Sequence, residues 1–418
     1  MSLSLASKGL SEKVTVSELI ALIPDNYIDE LAASLEVDKW VKKLKGKPLF
    51  KLLMFSILSS ERLSLRIMEE NFQDPLFRVL APTLNVDTLG WTGIRDRLMP
   101  VKSEFFAKLY SRVYEQVFEQ YSQKALLGYH IKRYDSTMIA TFSHLLEGMR
   151  VGNTSKNKTQ IKLTTEFTNN FLIKMTFFKE QAHLSEERAL KSVINDSKTR
   201  SKDKQEELHV FDNGLKSRKT FEQFDEDNIM FITRLGSNTR YEITRPCWQP
   251  TLGDEALDNE EIEFVQDNWV KLYKSGQQMT TKEFRLIQFN LKKAKGKKGE
   301  IKTIFFLTNV ASISAAEIAQ VYKRRWDIEV LFRFLKQELN LTHFVCNDQN
   351  AIQVMLYTTL IAAMLILIFK KKNNISSYKK AKIRFFKELV YGILDDIMDD
   401  AELTDKFRKN LRKFVQKE

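Results

Sequence analysis

Cysteine is almost missing from this sequence: 418 residues hold two, Cys247 and Cys346, far apart along the chain. That excludes a disulfide framework, and with only five scattered histidines a Cys/His zinc site is not expected either. A reducing cytoplasm is the expected compartment. The opening run MSLSLASKGLSEK lacks the basic-then-apolar layout of a secretory signal, so no export is expected. The phosphate-cradling G-x-x-x-x-G-K-[ST] loop is absent, since GKKGE has the wrong spacing, and neither nucleotide hydrolysis nor a nucleotide cofactor is indicated. H-E-x-x-H and G-x-S-x-G are missing too, as is any tandem repeat or low-complexity tract. One segment argues for a membrane: 354–369, VMLYTTLIAAMLILIF, followed by three lysines. It falls just short of a span, and in so charged a chain it reads as the buried central helix of a large domain, with no membrane expected.

What is present is basic. Lys and Arg number 66 against 54 Asp and Glu, a net charge of +12, in a chain whose 43% hydrophobic and 29% charged residues mark a globular protein. A polyanionic partner is favoured. The length suits a large core domain with helical domains beside it.

The first 125 or so residues carry apolar residues at helical spacing throughout, as in PLFKLLMFSILSS and EFFAKLYSRVYEQVFEQY. Two short amphipathic segments, LSLRIMEENFQDPLFRVLAP and VDTLGWTGIRDRLMPV, form either a helix-turn-helix with Arg62, Arg66, Arg78, Arg95 and Arg97 nearby or a plain helical bundle. From Tyr129 the period changes. YHIKRYDSTMIA, TQIKLTTEF, FLIKMTFF, ELHVFDN and NIMFITRL read as strands, with helices from about Ser185 and in SRKTFEQF, which describes an α/β sheet covered by helices. Residues 240–303 read as a β-rich insertion. After it, Ser314 to Glu317 form a capping box that opens one long helix, AAEIAQVYKRRWDIEVLFRFLKQELN. The expected division is 1–125 helical, 126–239 with 304–372 as core, 240–303 as insertion and 373–418 as a helical appendix.

Three acidic positions stand out. Asp135 and Asp212 are expected at or near strand ends, where a sheet margin exposes carboxylates. Along the long helix, Tyr322, Arg325, Glu329 and Lys336 fall within a sector of about 60° at about 100° per residue, and Glu329 is the only carboxylate among them because Asp327 and Glu338 point elsewhere. Alone, this would be a solvated charged stripe. With the two aspartates it suggests three carboxylates holding two Mg²⁺ ions, with Mn²⁺ able to substitute, and Arg325 and Lys336 neutralising phosphate.

Asp135, then Asp212, then Tyr-x2-Arg-x3-Glu-x6-Lys over Tyr322, Arg325, Glu329 and Lys336 resemble the DDE transposases of the IS4 insertion-sequence family. The resemblance covers roughly 129–370. It implies a ribonuclease-H-like, retroviral-integrase-like α/β core with a β-strand insertion between the second Asp and the Glu, and a DNA-end-binding role for the helical N-terminal region. The family often shows Asp followed by Arg-Gly; this chain has Asp212-Asn213-Gly214. The implied activity is cut-and-paste transposition in a bacterial cytoplasm, through hairpin ends, with Tyr322, Arg325 and Lys336 on the terminal phosphate. The implied partners are double-stranded DNA, as terminal inverted repeats and target, and a second copy of the chain in the end-paired complex. Lys292, Lys293, Lys295, Lys297 and Lys298 form either a loop on the DNA backbone or a solvated hairpin tip, near Trp248 and Trp269; Trp269 is the candidate for stacking on a flipped base. Competing readings are a metal-dependent nuclease or resolvase of the same fold, a catalytically dead DNA-binding repressor, and a membrane-attached protein.

Overall fold

The computed structural model describes residues 13–82, 86–121, 128–140, 149–150, 159–168, 171–200, 206–247, 262–291, 302–341, 344–346 and 348–415. These group into two compact units, residues 123–330 and residues 1–122 with 331–418.

The first unit is built on an eleven-stranded sheet. Its strands are β1 (His130–Ala140), β2 (Met149–Arg150), β3 (Thr159–Thr168), β4 (Phe171–Phe178), β5 (Glu207–Phe211), β6 (Met230–Leu235), β7 (Tyr241–Pro246), β8 (Ile262–Ser275), β9 (Gln278–Met279), β10 (Phe284–Leu291) and β11 (Lys302–Thr308). The order is β2-β3-β1-β5-β6-β11-β10-β8-β7, with β4 also on β3 and β9 on β8. β1, β3 and β4 are antiparallel, whereas β1, β5 and β6 run parallel, the mixed order of a ribonuclease-H-like core. β5 reads ELHVF and is buried at every position, as a central strand covered on both faces must be. One face packs Phe211, Phe231 and Phe284 against Leu190 and Ile194 of α8 (Glu186–Arg200) and Phe221 and Phe224 of α9 (Arg218–Glu226). The other packs Leu208, Val210 and Ile232 under Ile318 and Val321 of α10 (Ala315–Lys323). The strands of 240–303 do not stand apart from this sheet: β11 joins β6 on one side and β10 on the other, so they prolong it.

Two expectations are corrected. Asp135 does not end its strand, since β1 runs on to Ala140 and stays paired with β3. It reaches the sheet margin by another route: the parallel partner β5 is paired with β1 only as far as Arg133, opposite Val210, so Asp135 extends past its neighbour. The long helix is also interrupted. The capping box forms, with the Ser314 hydroxyl accepting from the Glu317 amide, but α10 closes at Arg324 and α11 (Trp326–Glu338) begins two residues later. Between them the Arg325 and Asp327 amides bond back three residues, to Tyr322 and Arg324. The Arg324 carbonyl, which takes the Asp327 amide, also accepts from Arg133 Nη1 at 2.6 Å, and this second donor accompanies the break in the regular ladder.

The second unit is helical: α1 (Val16–Ile20), α2 (Asp25–Ser34), α3 (Gly46–Ser59), α4 (Leu65–Gln73), α5 (Pro75–Leu80), α6 (Trp91–Leu98), α7 (Ser103–Tyr121), α12 (Gln349–Lys372), α13 (Tyr378–Asp399) and α14 (Ala401–Val415). Residues 331–372, expected with the core, group here because α12 lies among α3, α7 and α13. α12 is long and apolar enough to cross a membrane, and its apolar side chains are mostly buried within the unit. Two of the five arginines near the two amphipathic segments are engaged internally. Arg78 is buried and donates to the carbonyls of Val86 and Asp87, and Arg97 donates to those of Leu44 and Val37.

Candidate active site

Side-chain alternation along β1 sends Lys132 and Tyr134 to the α8 side and Arg133 and Asp135 to the α10 side, where Arg133 meets Arg324 and Asp135 meets Arg325. Asp212 directly follows the last residue of β5 and lies one strand over. Glu329 lies in the first turn of α11. The three carboxylates converge on one guanidinium: Arg325 Nη2 donates to Glu329 Oε1 at 2.7 Å and lies 3.7 Å from Asp212 Oδ2, while Nη1 lies 4.0 Å from Asp135 Oδ2. Arg325 is buried, and among the described residues its Nε has no hydrogen-bond partner. The Tyr322 hydroxyl donates to Asp212 Oδ1 at 2.7 Å, and its ring lies 5.6 Å from the Arg325 guanidinium carbon.

The electrostatics separate the two aspartates. Burial pushes the Asp135 carboxyl up to about 6, against the pull of the Ser136 amide and Arg325, with Glu186 and Glu329 adding repulsion. Burial acts on Asp212 too, but the Tyr322 hydroxyl, the Asn213 amide and Arg325 outweigh it and hold that carboxyl below its ordinary value. Burial and the Asp212 charge raise the Tyr322 hydroxyl, so it remains a donor. Arg325 stays fully charged, since Tyr322 and the carboxylates around it more than offset its burial.

A consequence for stability follows from Asp135, whose side chain is only 19% exposed. An acid whose folded value is raised binds its proton more tightly in the native state, so stability falls as pH rises from about 4 to 6 and stays lost above that. Asp135→Asn should therefore stabilise the metal-free protein at pH 7.5 by on the order of 2 kcal/mol, and the gain should vanish below pH 4. Thermal melts in chelator across this range check it; an asparagine variant less stable than the parent at pH 7.5 would contradict the burial argument.

Among the described residues no three His, Cys, Asp or Glu side chains are gathered closely enough to hold a single metal ion, because the guanidinium occupies the point of convergence. The donors nonetheless suit a hard divalent cation: three acidic oxygen donors, two of them open to solvent at 43% and 34%, already collected around a cation. Lys336 sits two turns further along α11, its ammonium 5.9 Å over the Phe332 ring. Trp269 on β8 is half-buried, with the Arg245 guanidinium 4.7 Å over its ring. Lys292, Lys293, Lys295, Lys297, Lys298 and Trp248 lie outside the described residues.

Several neighbours escaped the sequence reading. Trp326, next to Arg325, is 57% exposed. Arg133 approaches Asp327 at 3.6 Å. Glu186, in the first turn of α8, packs on Gly214, two residues past Asp212; a β-carbon there would lie 2.4 Å from the Glu186 carboxyl carbon.

Residues 131–365 match the family model described as the transposase DDE domain. A Sinorhizobium fredii protein named as a transposase, y4zB, is 29% identical over 195 residues, 47% of this chain and 50% of that one. A Synechocystis protein named as a transposase for insertion sequence element IS4SA is 22% identical over 180 residues, 43% and 46% of the two chains. The chain thus matches about half the length of these curated relatives. Among solved structures, the piggyBac transposase synaptic complex with hairpin DNA superposes with a TM-score of 0.50 at 12% identity, over 96% of this chain and 85% of that one, a likeness of fold.

Proposed function

Because this chain belongs to the family of transposase DDE domains, in its insertion-sequence IS4 branch, we propose that it cuts the terminal inverted repeats of its own element and joins them to target DNA. The observation that carries this is the convergence of Asp135, Asp212 and Glu329, from β1, the end of β5 and α11, on one point. Asp135, Asp212 and Glu329 would hold two Mg²⁺ ions, which supply an activated water or 3′-hydroxyl and stabilise the leaving oxygen of a phosphodiester. Around them the protein's own groups act on the DNA. Tyr322 fixes the rotamer of Asp212 through its hydroxyl, and Arg325, one turn ahead of Glu329, presents a planar fork suited to phosphate. Lys336 reaches a phosphate further along the strand, about 10 Å of helix rise beyond Glu329. A second copy of the chain holds the other end, and hairpin ends are the intermediate. Both cysteines are free, as a reducing cytoplasm would keep them.

The test is incubation of purified protein with end-labelled linear DNA carrying the element's inverted repeats and Mg²⁺. Cleavage at the element ends supports the proposal. Cleavage without regard to ends would identify a nuclease, and end binding without cleavage in either Mg²⁺ or Mn²⁺ a repressor.

The lysines at 292, 293, 295, 297 and 298 are proposed to contact the DNA backbone. Log affinity falls with log salt in proportion to the phosphates neutralised, by about 0.9 per contact. Replacing all five by Gln should flatten that slope by several units in a filter-binding titration. An unchanged slope would assign them to a solvated tip.

A further inference from the structure

We infer that Glu186 is a fourth carboxylate of this site, a positioning residue that braces the Asp212-Asn213-Gly214 turn and adds the negative charge that strengthens divalent-cation binding at Asp212. The inference deepens the metal-dependent reading above and rests on it. Glu186 opens α8, the helix covering one face of the sheet, and its side chain turns onto the segment that follows β5. The contact is close: a β-carbon on Gly214 would meet Glu186 Cδ at 2.4 Å, Cγ at 2.6 Å and Oε2 at 2.7 Å. Gly214 is therefore the residue that lets a carboxylate approach two positions from Asp212. Glu186 is half-buried, and it interacts electrostatically with Asp212, Arg325, Lys162 and Lys216, as well as with Asp135. Lys162, Arg325 and Lys216 attract this carboxylate, whereas Asp212 repels it. A divalent cation held at Asp212 would turn that repulsion into a net attraction, which acts through space and needs no coordination by Glu186.

A purely structural role is the alternative, because an acidic first-turn residue also stabilises its helix. Two substitutions separate the roles. Glu186→Gln keeps the shape and removes the charge. Gly214→Ala keeps the charge and displaces it, since the atoms a new methyl would meet are the flexible end of Glu186. The measurement is Mn²⁺ binding to the DNA-free full chain, followed by the electron paramagnetic resonance of free Mn²⁺, with Asp212→Asn as control and thermal melts alongside. Each of the two variants should weaken Mn²⁺ binding by about threefold to tenfold, and the double variant should be no weaker than Glu186→Gln alone, because both remove one interaction. If Glu186→Gln lowers the melting temperature and leaves Mn²⁺ affinity at the parent value while Asp212→Asn weakens it, the inference is overturned and the metal reading stands. If Asp212→Asn also binds Mn²⁺ like the parent, the metal reading itself fails.

Discussion

Alanine at Asp135, Asp212 or Glu329 should each abolish strand cleavage while leaving the protein bound to its DNA ends. A metal-assisted phosphoryl transfer draws several kcal/mol from its ions, so losing one oxygen ligand should slow cleavage by at least about a thousandfold. Binding rests on phosphate contacts by Lys and Arg, and removing one negative charge from the crevice should weaken it not at all or tighten it slightly. Single-turnover cleavage and gel-shift titration of the same three proteins give both numbers. If Asp212→Ala cleaves at the parent rate, the assignment is wrong. The nearby acids of α9 offer little substitute: the Asp225 carboxylate accepts from Asn309 at 3.3 Å and lies 3.7 Å from Lys282, away from the convergence on Arg325.

The second large effect is expected at the cations. Lys336→Ala and Arg325→Ala should still nick the element ends but accumulate little hairpin or excised product, because a hairpin is a strained bend held by phosphate contacts. A charge-assisted hydrogen bond contributes about 1.5–3 kcal/mol, so each loss should cost roughly 10- to 100-fold in the later species. The two variants should differ in the first step. Arg325 is also the countercharge of all three carboxylates, so its loss leaves them repelling one another and should slow nicking as well. Arg325→Lys keeps the charge without the fork and should restore nicking more than hairpin formation. Denaturing gels resolve nicked, hairpin and excised DNA; hairpins formed by both alanine variants at the parent rate would remove these residues from the mechanism.

The order of strands was legible because local pattern carried it: β1, β3, β4, β5 and β6 each read as an apolar or alternating run, and Asp212 ends such a run visibly. The Tyr322, Arg325 and Glu329 spacing was legible for the same reason, since three and four residues bring side chains together even across the break at Arg324. The break itself was hidden. It is accompanied by a carbonyl bonded to Arg133, far upstream in sequence, and no local period records that. Glu186 was hidden likewise, because what marks it is a glycine on another strand's end. The internal engagement of Arg78 and Arg97 was hidden as well, because charge is visible in a sequence whereas the backbone carbonyls that take up their donors are not. The continuation of the sheet through 240–303 depended on a pairing of β11 with β6 that is equally non-local.

That same β11 governs when the catalytic unit can come into existence. Synthesis delivers β6 well before β11, and β1 well before β5, so the inner pairings of the sheet close large loops and the unit belongs to the slow-folding, high-contact-order class. Until Lys302–Thr308 emerges, the edge of β6, with Phe231 and Ile232 beside it, has no partner on that side, and a chain truncated in the 240–303 region should aggregate through it. A polypeptide still on the ribosome carries Asp135 and Asp212 long before it carries Glu329. A frameshift or early stop ahead of α11 therefore leaves the convergence on Arg325 without its third carboxylate.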